Sequence, residues 1–145
     1  MDDMQPMAQR PALGSGMTLS PASDLASRRV LIVEDEALVS MLLEDMLEDL
    51  GCKTLGPLTR VGEALAFIAE HGQEIDIAIL DVNLAGERSQ KVAAVLRAAG
   101  TPFILSTGYD DFSAEEDWRG GSVLRKPFMA SQLESILREA LGLTA

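Results

Sequence analysis

The chain is short of cationic side chains. Twelve Lys and Arg stand against 23 Asp and Glu in 145 residues, a net charge of −11. A grip on nucleic-acid phosphates needs the opposite balance, so nucleic acid is not an expected partner, and anionic membrane surfaces are disfavoured for the same reason. Long apolar runs are also missing. No stretch reaches the roughly 18 continuous apolar residues of a membrane span. The N-terminus carries Asp2 and Asp3 and lacks the apolar h-region of a secretory signal. One cysteine, Cys52, leaves no internal disulfide; it reads as a small buried residue in a strand. These absences make a cytoplasmic location the default expectation.

What is present is apolar content: 47% of the residues are hydrophobic, enough for one globular domain with a real core. Residues Met1 to Ser27 are rich in Pro, Gly, Ser, Met and Ala without a helical or alternating period, and read as a flexible N-terminal tail. From residue 28 to 145 the pattern is that of a folded domain. "VLIV" (30–33) is a continuous apolar run of the kind a doubly covered parallel strand shows. A helix follows from Ala37 to Leu50, with Val39, Leu42, Leu43, Met46 and Leu50 on the expected buried stripe and Gly51 as its stop.

"CKTLG" (52–56) is a second strand, and Thr59 is placed to cap a helix carrying Val61, Leu65 and Ile68. That helix ends near His71, where partial positive charge is welcome. "IDIAIL" (75–80) is a third strand. "RSQKVAAVLRAAG" (88–100) is a helix expected to bury Val92, Val95, Leu96 and Ala99. "FILS" (103–106) and "SVLR" (122–125) are further strands, and a last helix from Ala130 to Leu141 turns Leu133, Ile136, Leu137 and Leu141 inward. Strands alternating with helices give an α/β fold, a parallel sheet with helices on both faces.

In such a sheet ligands bind beyond the carboxyl ends of the strands. Strand one delivers Glu34 and Asp35 there, strand three Asp81, strand four Thr107 and strand five Lys126. Singly, each is ordinary: an acid after a strand is commonly a solvated turn residue, and a Thr there a turn former. Jointly, at the ends of four strands, they form a constellation. Carboxylates suit Mg²⁺, a hard cation that prefers oxygen. Lys126 is a point charge for a carboxylate or a phosphoryl oxygen, and Thr107 offers a hydroxyl. Phosphoryl transfer needs positioning and charge neutralisation, with Asp81 as the nucleophile.

The order and spacing of "VLIVEDE", "IAILDVNLAG", "FILSTGYD" and "LRKPF" resemble the receiver domain of two-component response regulators, from about Arg29 to Leu143. The resemblance implies a flavodoxin-like (βα)₅ doubly wound sheet of strand order 2-1-3-4-5. It implies Asp81 as phospho-acceptor, Thr107 as switch hydroxyl and Lys126 as the partner lysine ahead of a cis Pro127. Glu34, Asp35, Asp81 and the backbone carbonyl of Asn83 are implied as the Mg²⁺ site. The partners implied are a sensor histidine kinase and a downstream protein or phosphotransferase. The chain is expected to be a stand-alone receiver, monomeric or weakly dimeric. Its only chemistry would be its own phosphorylation and dephosphorylation, and its signal would pass by docking. Leu38 and Met41, off the main stripe of the first helix, are candidates for a kinase-docking surface.

Three departures from the family pattern stand out. Ala85 occupies the position of a usual proline, Val123 that of the aromatic switch residue, and Tyr109 follows "TG". "PFILSTGY" looks like the receiver subclass named for a Phe-Ala-Thr-Gly-hydrophobic-Tyr motif, with Leu105 and Ser106 in place of its Phe and Ala. The acidic stretch between strands four and five predicts a short or mobile helix, since like charges so dense weaken one; Trp118 is expected to be partly buried beneath it. Two other readings compete. A receiver-like scaffold that never accepts phosphate would be expected to have lost an acid, the acceptor or the lysine, all of which are present. A Mg²⁺-dependent phosphohydrolase would want a second acid where Asn83 stands.

Overall fold

Apolar runs too short for helices form the strands, and polar-faced segments between them form the helices. The computed structural model describes residues 24–108 and 118–143. In chain order the elements are β1 (Arg29–Val33), α1 (Ala37–Asp49), β2 (Lys53–Leu58), α2 (Val61–His71), β3 (Ile77–Asp81), α3 (Gln90–Ala99), β4 (Phe103–Thr107), β5 (Gly121–Arg125) and α4 (Ala130–Ala140). The five strands pair in parallel in the order β2-β1-β3-β4-β5. This is the doubly wound α/β architecture expected from the sequence, with its order reversing beside β1.

Successive residues of a strand point to opposite faces, and both faces here are apolar. Leu31, Val33, Ala78, Leu80, Phe103 and Leu105 pack on Val61, Ala64 and Ile68 of α2 and on Val92 and Leu96 of α3. Val30, Ile32, Ile77, Ile79 and Ile104 pack on Leu43 and Leu47 of α1 and on Leu133 and Leu137 of α4. Gly121 opens β5 where a Cβ would lie 2.7 Å from the Phe103 ring, so only glycine lets the strand approach there.

Helix phase corrects two expectations. In α1 the buried line runs Ser40, Leu43, Leu47, and Leu42 turns outward at 47% exposure. In α3 it runs Val92, Ala93, Leu96, which leaves Val95 and Ala99 exposed. Both chains of apolar residues were wide enough to fit more than one phase of a 3.6-residue period. Helix α3 also starts later than expected. Arg88 is held instead in a hairpin, Asn83–Leu84 against Glu87–Arg88. The two loop residues of that hairpin, Ala85 and Gly86, both have positive φ, 53° and 86°. That is the sign pattern of a type I′ turn. A proline, fixed near −65°, does not fit such a turn at position 85.

Of the segment read as a tail, residues 1–23 lie outside the described residues, and Asp24 to Ser27 belong to the fold. Leu25 is fully buried against the α1/α4 side of the sheet. Ser27 N–H donates to the Gly51 carbonyl at 2.8 Å, and Asp24 lies 3.6 Å from Arg138 of α4. Cys52 is buried as expected, one residue ahead of β2, and burial pushes its thiol pKa up. His71 closes α2, with Nδ1 3.1 Å from Glu74. Thr59 does not cap α2 with its hydroxyl; its N–H and hydroxyl both donate to Glu63 instead.

Candidate functional site

Parallel pairing in register brings the strand ends together. Val33 sits opposite Leu80 and Asp81 opposite Ser106. Thr107 sits opposite Arg125, the residue before Lys126. Glu34, Asp81, Thr107 and Lys126 therefore share one edge of the sheet, as the sequence predicts. A cleft of about 290 Å³ opens there, lined by Asp35, Glu36, Asp81, Asn83, Gly108 and Lys126 among others.

Asp81 is its centre and is almost wholly buried, at 5% exposure. Its two oxygens have different partners. Oδ1 accepts the Asn83 N–H at 3.1 Å, and Oδ2 accepts from Lys126 Nζ at 3.2 Å. Lys126 Nζ also lies 3.2 Å from Glu34 Oε1 and 3.6 Å from Glu36 Oε1. Burial, then the hydrogen bond and charge of the Glu34 carboxyl, push the Asp81 pKa up to about 7, against the opposing pull of Lys126 and the Asn83 N–H. Burial works against the charge on Lys126, but the carboxylates of Asp81 and Glu34 outweigh it and hold its pKa above the usual lysine range.

The acids outnumber their cation. Among the described residues lining the cleft, Lys126 is the one basic side chain facing Asp35, Glu36 and Asp81. Carboxylate oxygens of Glu34, Asp35 and Asp81 lie within 4.8 Å of one another. Glu34 Oε1 is buried without a hydrogen bond, its contact with Lys126 being ionic and off the line of one. An all-oxygen donor set with surplus negative charge and a buried oxygen without a hydrogen bond fits a hard divalent cation such as Mg²⁺.

Thr107 ends β4 fully buried, and its hydroxyl donates to the carbonyl of Gly108 at 3.1 Å. The Lys126–Pro127 peptide is cis. Tyr109 and most of the acidic stretch lie outside the described residues. Trp118, at its end, is half-buried against the α2/α3 side of the core, with the Arg88 guanidinium 6.0 Å from its ring centroid. Leu38 and Met41 stand out from α1 at 81% and 57% exposure.

One residue of the site was missed in the sequence. Ser89 is buried beneath the acceptor strand, and its hydroxyl donates to the carbonyls of Asp81 and Val82. A serine before a helix signals an N-cap, and nothing in the sequence points it backward to Asp81.

Comparison with known proteins agrees with this fold. A sequence model of the response regulator receiver domain matches residues 30–138. The phyllosphere-induced regulator PhyR of Methylorubrum extorquens is 30% identical over 123 residues, 83% of this chain and 45% of that protein. The chain thus spans about half the length of the curated relative it matches. The solution structure of SdrG from Sphingomonas melonis Fr1 superposes with a TM-score of 0.69 at 42% identity, covering 85% of this chain and 98% of that one. The receiver domain of PhyR from Erythrobacter litoralis gives a TM-score of 0.69 at 26% identity, over 83% and 95% of the two chains.

Proposed function

Because the chain belongs to the response regulator receiver family, we propose that Asp81 accepts a phosphoryl group from a sensor histidine kinase and that the signal leaves by protein docking. The observation that carries this reading is the placement of Lys126 Nζ at 3.2 Å from both Asp81 and Glu34, beside three converging carboxylates. An Asp81 carboxylate oxygen forms the new P–O bond as the donor's P–N bond breaks, and the bonding pair leaves with the imidazole. Water later cleaves the acyl phosphate and restores the carboxylate.

Glu34, Asp35 and Asp81, with the Asn83 carbonyl, are the residues that would hold Mg²⁺. When bound, the ion supplies positive charge against the phosphoryl oxygens. Lys126, 3.2 Å from Asp81 Oδ2, neutralises charge and orients the acceptor. Thr107 turns its hydroxyl from the Gly108 carbonyl to a phosphoryl oxygen once one is present. Leu38 and Met41, exposed on the helix that follows the acidic pair, give a kinase an apolar foothold next to the cleft.

Incubation with Mg²⁺ and acetyl phosphate, read by intact mass, tests the reading. Wild type gains one phosphoryl group and Asp81→Asn gains none. Failure of wild type to gain it from both acetyl phosphate and a phosphorylated histidine kinase would sink it.

A further inference from the structure

Ser89 occupies the N-cap position of α3 without capping it. Its side chain accepts nothing from the first turn of the helix, although serine is among the best residues for that task. Fully buried, it faces back toward the acceptor strand. Its hydroxyl proton is shared between the carbonyls of Asp81 and Val82, the latter at 3.1 Å. Its own N–H adds a second bond to the Val82 carbonyl at 3.0 Å.

The Val82 carbonyl and the Asn83 N–H are the two ends of one peptide unit. That N–H is the group that holds Asp81 Oδ1 at 3.1 Å. Donors on the carbonyl side of a peptide fix its plane and polarise its N–H, strengthening what the N–H donates. The hairpin fixes the same unit from the other direction, because Asn83 pairs with Arg88 and Ser89 follows directly. Asp81 thus has one oxygen tied to a clamped peptide and the other turned to Lys126.

Resting on the phospho-acceptor reading, we infer that Ser89 is a positioning residue for it: through the Val82–Asn83 peptide it sets the orientation in which the Asp81 carboxylate meets the phosphoryl donor. Ser89 touches no reacting atom. Its contribution is the loss of rotational freedom of Asp81 before the donor arrives, the kind of preorganisation whose removal slows a reaction without altering its chemistry.

The test compares wild type with Ser89→Ala, Ser89→Gly and Ser89→Thr. Alanine and glycine both lack the hydroxyl, and glycine is tolerated at an N-cap, so one of them is expected to fold. Two readouts are taken well below the unfolding temperature: amide hydrogen exchange of Asn83 by NMR, and the initial rate of phosphoryl incorporation from acetyl phosphate with Mg²⁺. Loss of the clamp is expected to speed Asn83 exchange by about fivefold, the worth of one hydrogen bond. Incorporation is expected to slow about threefold to tenfold, and Ser89→Thr to restore both. Unchanged Asn83 exchange in a folded Ala or Gly variant would overturn the clamp. Faster exchange with a wild-type rate of incorporation would overturn its role in the reaction. No incorporation by wild type from acetyl phosphate or from a phosphorylated histidine kinase removes the reaction and this role with it, while Asn83 exchange still says whether the clamp exists.

Discussion

Lys126 Nζ and Asp81 Oδ2 lie 3.2 Å apart, and the same ammonium is 3.2 Å from Glu34 Oε1. One cation thus holds two nearly buried carboxylates at the end of the central strands. Removing it leaves two nearly buried like charges facing each other at the floor of an open cleft. Lys126→Met is expected to destabilise the metal-free protein by about 1–3 kcal/mol, less than a fully buried pair would cost because the cleft is open to water. It should also abolish phosphoryl incorporation. Urea unfolding and intact mass read the two effects.

The raised pKa of Asp81 links stability to pH. A carboxyl group whose folded pKa is raised binds its proton more tightly when folded. Its contribution is therefore fully present below the ordinary carboxylate value and is lost as pH rises through about 7. The metal-free protein is expected to melt at a lower temperature at pH 8 than at pH 5. Mg²⁺ should narrow the difference, and Asp81→Asn should remove most of it. A Tm that rises over this interval in metal-free wild type would contradict the assignment of burial and Glu34 as the cause.

The hairpin after Asp81 carries a residue in an unfavourable conformation. Ala85 has φ of 53°, a region that alanine pays about 1 kcal/mol to enter and asparagine enters more readily. Ala85→Asn creates the Asn-Gly pair typical of a type I′ turn and is expected to stabilise by about 0.5 kcal/mol. Ala85→Pro should destabilise and break the Asn83–Arg88 pairing, visible as loss of the hairpin's cross-strand NMR contacts.

Leu25 lies five residues ahead of the stretch that the receiver model matches, and it is fully buried. Leu25→Ala is expected to cost about 2–4 kcal/mol in denaturant unfolding. A cost within the range of surface substitutions, about 0.5 kcal/mol, would show that the fold does not need it.

Leu38 is the most exposed large apolar side chain among the described residues, and Met41 accompanies it one turn on. A Leu38→Asp, Met41→Glu double variant should leave Tm and the acetyl phosphate reaction unchanged. It should slow transfer from a phosphorylated kinase about tenfold or more. Equal transfer rates in wild type and variant would place the kinase contact elsewhere.

The sequence carried the fold in features of long reach. The apolar runs at Val30–Val33, Ile77–Leu80 and Phe103–Leu105 alternate with amphipathic stretches, and a parallel sheet then has to gather Glu34, Asp81, Thr107 and Lys126 at one edge. What it hid is local. The hairpin at Asn83–Arg88 turns on Ala-Gly, which lacks the Asn or Asp that marks such a turn. Ser89 looks like a helix cap because serine is used that way far more often than as a backward donor. Leu25 stands among Pro, Ser and Asp, so no period reveals that it packs. In α1 and α3 the apolar faces are broad, and the partner surface, not the helix, chooses which residues go in.

The most direct measurement locates the phosphoryl group. After incubation with acetyl phosphate and Mg²⁺, borohydride reduces an acyl phosphate to the alcohol, and peptide mass spectrometry finds the changed residue. The expected result is a single modified position at Asp81, absent from Asp81→Asn. Modification at Glu34 or Asp35 instead, or none from either acetyl phosphate or a phosphorylated histidine kinase with Mg²⁺ present, would contradict the assignment of Asp81 as the acceptor.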